Sequence, residues 1–110
     1  GEDNDRELVE LLLPGIQKAF NGWNLAEQKR CIEEAGFELL QAEECFRPIK
    51  FMDIGALVWF ARIIEWEFAG FSVDSCTEQL LKAQDILEQR GAVEGTTHRF
   101  LIVARKPITE

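Results

Sequence analysis

The stretch THRFLIVAR, from Thr97 to Arg105, decides the fold of this 110-residue chain. Its centre, residues 100–104, is an uninterrupted apolar run, whereas a strand with one wet face would alternate apolar and polar residues. Such a run is typical of a strand in the middle of a sheet, covered on both faces and paired on both edges. We therefore predict a central strand that ends before Pro107.

A second strand is predicted from Phe37 to about Phe46, where apolar and acidic residues alternate imperfectly. This pattern favours a half-exposed strand near a sheet edge, which Arg47-Pro48 should end or bend. A central strand needs two neighbours, and the sequence offers only this one. The missing strand is therefore expected from a partner chain or from a part of the protein outside this sequence.

The first half of the chain predicts two helices joined by an irregular connector over residues 16–23. In the first helix, Asn4 or Asp5 can cap the free backbone N–H groups, and Pro14-Gly15 stops it. The second helix should begin after Asn24 and end at Gly36, a residue suited to the left-handed C′ position.

The second half predicts two more helices. Asp53 should cap one that runs to about Glu65. Ser75 and Glu78 form a capping pattern for a long helix that Gly91 terminates. About four helices and two strands make this a chain of mixed α and β structure.

Composition excludes several classes of partner. The chain holds 20 Asp and Glu residues and 12 Lys and Arg residues, which gives a net charge of -8. Because this surface repels phosphates and anionic headgroups and the basic residues are scattered, we expect no nucleic-acid or membrane partner. Charges also interrupt the longest apolar stretch, and the N-terminus carries no signal sequence. The three cysteines lack metal-ligand spacing and suit a reducing cytoplasm, so no metal site and a cytoplasmic location are expected.

The most apolar segment, residues 51–71, reads FMDIGALVWFARIIEWEFAGF. Its helix has almost no polar side except Arg62 and Glu65, so it should be buried on more than one side. One interpretation is that it fills the core of the domain. The other is that one side, carrying Trp59, Phe60 or Trp66, lines an apolar pocket for a small molecule. Both can hold for different faces.

This segment carries a resemblance to a known family. The run DIGALVWF from Asp53, then IEW at residues 64–66 and GFSV from Gly70, resembles a region near the C-terminus of one group of class I S-adenosylmethionine-dependent methyltransferases. The residues THRF and ARKP near the end of the chain resemble the terminal strand of that group, and GEDNDREL at residues 1–8 resembles the loop and helix after its fifth strand. Glu65 departs from the pattern, where the group usually has proline.

The resemblance implies an architecture for the whole chain. In that family the last two of seven strands are antiparallel, and the final strand inserts between the fifth and the sixth. Residues 37–46 would then be the sixth strand and residues 97–105 the seventh, with residues 51–91 as a helical insertion. The expected fold class is an α+β fragment, residues 1–110, in which an antiparallel strand pair carries about four helices.

The resemblance also implies a function. The chain would be the substrate-side, C-terminal portion of a methyltransferase whose cofactor-binding domain, with its S-adenosylmethionine, lies upstream. The sequence has no G-x-G-x-x-G loop, so we expect no cofactor site, no catalytic residue and no activity from this chain alone. Insertions of this kind cover the acceptor pocket, which makes Asn4, Trp59, Phe60 and Trp66 the expected contacts of a small methyl acceptor.

An alternative also explains the missing neighbour of the strand at residues 97–105, but without a methyltransferase. The chain would then be a stand-alone α+β interaction module that dimerises through residues 97–105. In either case the uncovered strand edge and aromatic face predict self-association of the isolated chain.

Two polar features have simpler interpretations than catalysis. His98, the only histidine, stands at the start of a strand without a Ser or Cys partner that spacing can identify, so a structural hydrogen bond is favoured. Glu43 and Glu44 face opposite sides of a strand and should not share a proton.

Overall fold

A computed structural model describes residues 1–107 of the chain. They form four helices and two strands, which confirms the α+β class and the antiparallel pair. In chain order the elements are α1 (Arg6–Leu12), α2 (Leu25–Glu34), β1 (Glu38–Phe51), α3 (Ile54–Ile63), α4 (Thr77–Arg90) and β2 (Val93–Arg105). As expected, residues 16–23 contain neither helix nor strand.

The two strands form one long antiparallel ladder, in which Glu38 lies opposite Arg105 and Phe51 opposite Val93. The prediction that the first strand ends near Phe46, before Arg47-Pro48, is wrong, because β1 continues through Pro48 to Phe51. Within the described residues β1 pairs with β2 alone, so it is an edge strand, where proline is tolerated.

β2 also begins earlier than predicted, at Val93, but it lacks the two neighbours that its apolar centre requires. Among residues 1–107 its only partner is β1. Phe100 and Ile102 lie half-buried on the side that meets α2 and the preceding connector, where Trp23 packs 6.0 Å from the ring of Phe100. On the opposite face Leu101 and Val103 are exposed.

The first two helices differ in how well local signals place them. α2 is confirmed, since Asn24 Oδ1 accepts a hydrogen bond of 2.9 Å from the Glu27 N–H and Gly36 adopts a φ of 92°. The predicted side-chain cap of α1 is wrong. Asp5 occupies the N-cap position with a left-handed φ of 58°, yet its carboxylate caps nothing.

α3 and α4 lie between the two strands in the chain. Asp53 caps α3 as predicted, accepting from the Ala56 N–H at 2.7 Å, although the helix ends at Ile63 and not near Glu65. The Ser75 cap of α4 is wrong, because the N-cap residue is Cys76 and Ser75 bonds to Ser72 instead. Gly91 ends α4 with a φ of 80°, as predicted.

The buried core lies at one end of the sheet, where α1, α3 and α4 meet the Phe51–Val93 end of the ladder. Its apolar members are Leu8, Val9, Leu12, Phe51, Leu57, Ala61, Phe68, Leu80, Ala83 and Val93. α2 contributes no fully buried residue, and in β1 only Phe51 is buried. The core therefore holds α1, which directly follows residues 1–5, and Val93 at the start of β2.

Candidate functional site

Residues 1–5 form a loop that lies along the middle of β2; we call it the N-terminal loop. The nitrogen of Gly1 donates to the carbonyl of His98 at 2.7 Å, and the Asp5 N–H donates to the carbonyl of Thr96 at 2.8 Å. The Glu2 N–H donates to the carbonyl of Trp23 at 2.8 Å. Backbone bonds thus hold the loop at both of its ends.

His98 is the centre of the contacts beneath this loop. It is 1% exposed, and its ring stacks on Phe46 with centroids 4.4 Å apart and planes 8° from parallel. Nδ1 accepts a hydrogen bond of 3.1 Å from the Asp3 N–H, so the ring proton belongs on Nε2, which lies 2.7 Å from Glu44 Oε2. Both ring nitrogens are engaged, which suits the structural role expected for this histidine.

Asn4 links three parts of the chain through its side-chain amide. Nδ2 donates to Asp5 Oδ2 at 3.0 Å and to Glu67 Oε1 at 2.8 Å, and Oδ1 accepts from the His98 N–H at 2.8 Å. Both amide hydrogens are therefore used within the protein. Asn4 is a predicted contact of the methyl acceptor, but the only part of its amide left for a ligand is one lone pair on Oδ1.

Asp5 and Glu67 form a pair of carboxyl groups beside Asn4. Asp5 is 1% exposed, and each residue has one oxygen, Asp5 Oδ1 and Glu67 Oε2, that is buried without a conventional donor. Burial, followed by the hydrogen bond with Glu67, raises the pKa of Asp5 to about 8. This shift favours the protonated form of Asp5 at neutral pH.

At the solvent side of the loop, the pKa values of Glu2 and Asp3 are lowered, whereas that of Asp5 is raised. Hydrogen bonds from the Gly22 N–H and the Asn24 side chain lower the pKa of Glu2, which accepts them at 2.7 and 2.9 Å. The hydrogen bond from Lys18, at 2.6 Å, lowers the pKa of Asp3 and raises the pKa of Lys18 itself. The outer carboxylates are thus held in the charged form and tied to the connector, whereas burial favours the neutral form of Asp5.

The three aromatic residues predicted to line a pocket do not share one environment. Phe60 packs into the core, with its ring 5.1 Å from Phe51 and 6.0 Å from Phe68. Trp59 is 65% exposed and Trp66 is 56% exposed. Of the two interpretations of this helix, core filling therefore applies to Leu57, Ala61 and Phe60. Trp59 and Trp66 instead stand in solvent.

Of these three aromatic residues, only Trp66 adjoins a member of the Asn4–Asp5–Glu67 group, and it does so as a neighbour in the chain. Asn4 meets Glu67, the neighbour of Trp66 in the chain, and the two line a narrow cleft together with Gly1, Arg6 and Phe20. The cleft measures about 10 Å³, which is room for one water molecule. Trp59, Phe60 and Trp66 do not line it.

The chemistry open to this cluster is limited. His98 and Asn4 spend their donors on internal bonds, and the group with a strongly raised pKa, Asp5, is closed to solvent. Within residues 1–107 no group of three or more His, Cys, Asp or Glu side chains is arranged to hold a metal ion. No helix in this part of the chain has the length and apolarity to cross a membrane.

Two contacts of the site were not foreseen from the sequence. In the sequence Glu44 is simply the neighbour of Glu43. The ladder brings Glu44 and His98 onto one face of the sheet, two positions apart in register. In the sequence Glu67 is only one of the charges that interrupt the apolar segment 51–71. It lies 62 positions from Asp5, and no periodicity or capping pattern joins residues so distant.

Comparison with known proteins adds no family to these observations: no protein-family model matches the chain, and no curated protein shows significant similarity to it.

Proposed function

We propose that this chain is the C-terminal, substrate-side region of a class I S-adenosylmethionine-dependent methyltransferase, inactive by itself and completed by a cofactor-binding domain. The observation that carries the proposal is the state of β2. An apolar strand of the kind found inside sheets has one bare face, bears Leu101 with 51% exposure, and lacks a second neighbour among the described residues. The motifs shared with that family supply the identity of the missing neighbour.

The two edges of the sheet differ in a way that supports pairing of a further strand with β2. β1 carries charged residues along its length and Pro48 within it, devices that discourage further strand pairing. The outer edge of β2 is covered by the N-terminal loop at Thr96 and His98, but beside the apolar segment 100–104 it has no such protection. A strand arriving from elsewhere would therefore pair with β2 and leave β1 as the edge.

The dimensions of the chain point the same way. Its radius of gyration is 17.8 Å, whereas a compact domain of this length has about 13 Å. Its accessible surface is 7447 Å², about 1,200 Å² more than is usual for a protein of this mass. A standard interface buries about 800 Å² on each partner, so the excess is large enough for one stable contact surface.

The small-molecule methyl acceptor would lie against Trp59 or Trp66, whose exposed rings offer a large apolar area with few rotatable bonds. Asn4 would approach it only through its remaining Oδ1 lone pair. The residues of this chain do not fit S-adenosylmethionine, since they include no glycine-rich loop between a strand and a helix. That cofactor belongs to the upstream domain in this proposal. Exposed, unpaired Cys31 and Cys45 favour a cytoplasmic setting.

A second candidate rests on the same bare edge. β2 could pair with β2 of another copy, which would make the chain a dimerisation module and not part of an enzyme. Such a homodimer would cover the apolar strand without any cofactor domain.

The test compares this chain with the product of the complete reading frame that contains it. Isothermal titration with S-adenosylmethionine should give no tight binding for the isolated chain and saturable binding for the longer protein. Tight binding by the chain alone, or none by the longer protein, would contradict the methyltransferase proposal. A reading frame that begins at this sequence would favour the dimerisation module.

A further inference from the structure

We propose that Asp5 and Glu67 share one proton, and that this proton fastens the N-terminal loop to the segment after α3, so that the fastening weakens as the solution becomes more alkaline.

The hydrogen bonds around Asn4 leave one oxygen of each carboxyl group without a donor. The two hydrogens of Asn4 Nδ2 go to one oxygen of each carboxyl group, Asp5 Oδ2 and Glu67 Oε1. The other two oxygens, Asp5 Oδ1 and Glu67 Oε2, remain buried without a donor. The carboxyl groups of Asp5 and Glu67 lie within hydrogen-bond reach of each other, so two ionised groups would repel each other and leave two buried acceptors unmet, which is strongly unfavourable. A single proton shared by the two carboxyl groups removes one charge and supplies the missing donor.

The charges around Asp5 do not favour loss of its proton, because the effect of a nearby carboxylate exceeds that of a nearby cation. Glu7 on α1 adds a further negative charge, which raises the pKa of Asp5. Arg99 on β2 acts in the opposite sense and more weakly. His98, reached through Asn4 Oδ1, is held by Asp3 and Glu44. Arg6 follows Asp5 in the chain but donates to the carbonyl of Ile16.

The direction of the pH effect follows from linkage. The pKa of Asp5 is about 8 in the closed loop and 3.8 for the ordinary group. Between these values the open loop releases its proton and the closed loop keeps it, so rising pH favours opening. The closed state is most favoured below pH 3.8, loses about a factor of ten per pH unit above it, and reaches a plateau near pH 8.

Two amide hydrogens report opening of the loop: that of His98, bonded to Asn4 Oδ1, and that of Asp5, bonded to the carbonyl of Thr96. Their hydrogen-exchange protection factors, corrected for the intrinsic pH dependence of exchange, should fall about tenfold per pH unit between pH 5 and pH 8. Carbon-13 NMR of the carboxyl groups should show a titration of the pair near pH 8.

The decisive variant is Asp5→Asn. Asparagine tolerates the left-handed backbone of this position, and its amide can donate to Glu67 as the proton does. The variant should therefore fold, lose the titration near pH 8, and show protection that no longer depends on pH. Asp85→Asn, at an exposed position of α4, is the matched control and should keep both signals. Equal slopes in Asp5→Asn and the unmodified chain, or carboxyl titrations confined below pH 5, would overturn the proposal.

Discussion

At the Phe51–Val93 end of the sheet, α1, α3 and α4 pack around both strands, whereas at the Glu38–Arg105 end only α2 covers one face. We call these the packed end and the bare end. The packed end holds nearly all of the fully buried apolar side chains, including Leu8 and Leu57 at 0% exposure. At the bare end the apolar segment 100–104 has one face in solvent, where Leu101 and Val103 are exposed.

The difference shows that apolarity and burial are separate properties of a segment. Segment 100–104 is as apolar as any part of the chain, yet nothing among the described residues covers the face with Leu101 and Val103. The packed end is stabilised by its own contacts, since hydrophobic burial scales with the area removed from water. The bare end gains that stabilisation only from a partner, so substitutions at the two ends should differ in kind.

The largest expected effect is the loss of a core side chain at the packed end. Leu8→Ala removes a fully buried leucine of α1 and should lower the free energy of unfolding by about 2–5 kcal/mol. Leu101→Ala, the same chemical change at the bare end, should lower it by less than about 1 kcal/mol. Urea denaturation of dilute samples measures both, and similar losses would contradict the division into two ends.

An intermediate effect is expected from crowding the contact between α1 and β2. A Cβ atom at Gly95 would lie 2.8 Å from both Cγ and Cδ1 of Leu8, which is closer than carbon atoms can approach. Because Leu8 is fully buried and has no room to retreat, Gly95→Ala should cost about 1–3 kcal/mol. Gly55→Ala, exposed in α3, should change stability by less than about 1 kcal/mol.

A double-mutant cycle identifies the cause. In a Leu8→Ala background the clashing atoms are gone, so Gly95→Ala should cost much less than it does alone. Additive losses would show that Gly95 is required for a reason other than its contact with Leu8.

The sequence predicted those elements whose signals are local. α2 begins and ends where Asn24 and Gly36 indicated, and α3 begins after its Asp53 cap. Predictions failed where a distant residue decides the outcome. β1 continues through Pro48 because it is an edge strand, a property that depends on which strands surround it.

The candidate site was harder to predict for the same reason. Asp5 has the residue type of a helix cap, but Glu67 and Asn4 engage its carboxylate, and that competition is invisible without the fold. The exposure of Trp59 and the burial of Phe60 likewise depend on how α3 rotates against the core. An all-apolar helix sequence contains no polar face that would fix this rotation.

The smallest effect on stability, and the sharpest on association, should come from charges on the bare strand. The double variant Leu101→Lys with Val103→Lys places two ammonium groups on the exposed face of β2, where they stay in water, so the free energy of unfolding should change by about 0.5 kcal/mol or less. In sedimentation velocity the unmodified chain should show association that increases with concentration, and the variant should remain monomeric.

A matched control separates strand pairing from general stickiness. Leu81 on α4 is 61% exposed, more than either strand residue, but belongs to a helix at the packed end. If β2 directs association, Leu81→Lys leaves it unchanged. If Leu81→Lys also yields monomers, any exposed leucine contributes equally, and the bare end is not a specific docking surface. That result would remove the main physical support for the proposed cofactor domain, since the unprotected edge would then select no partner.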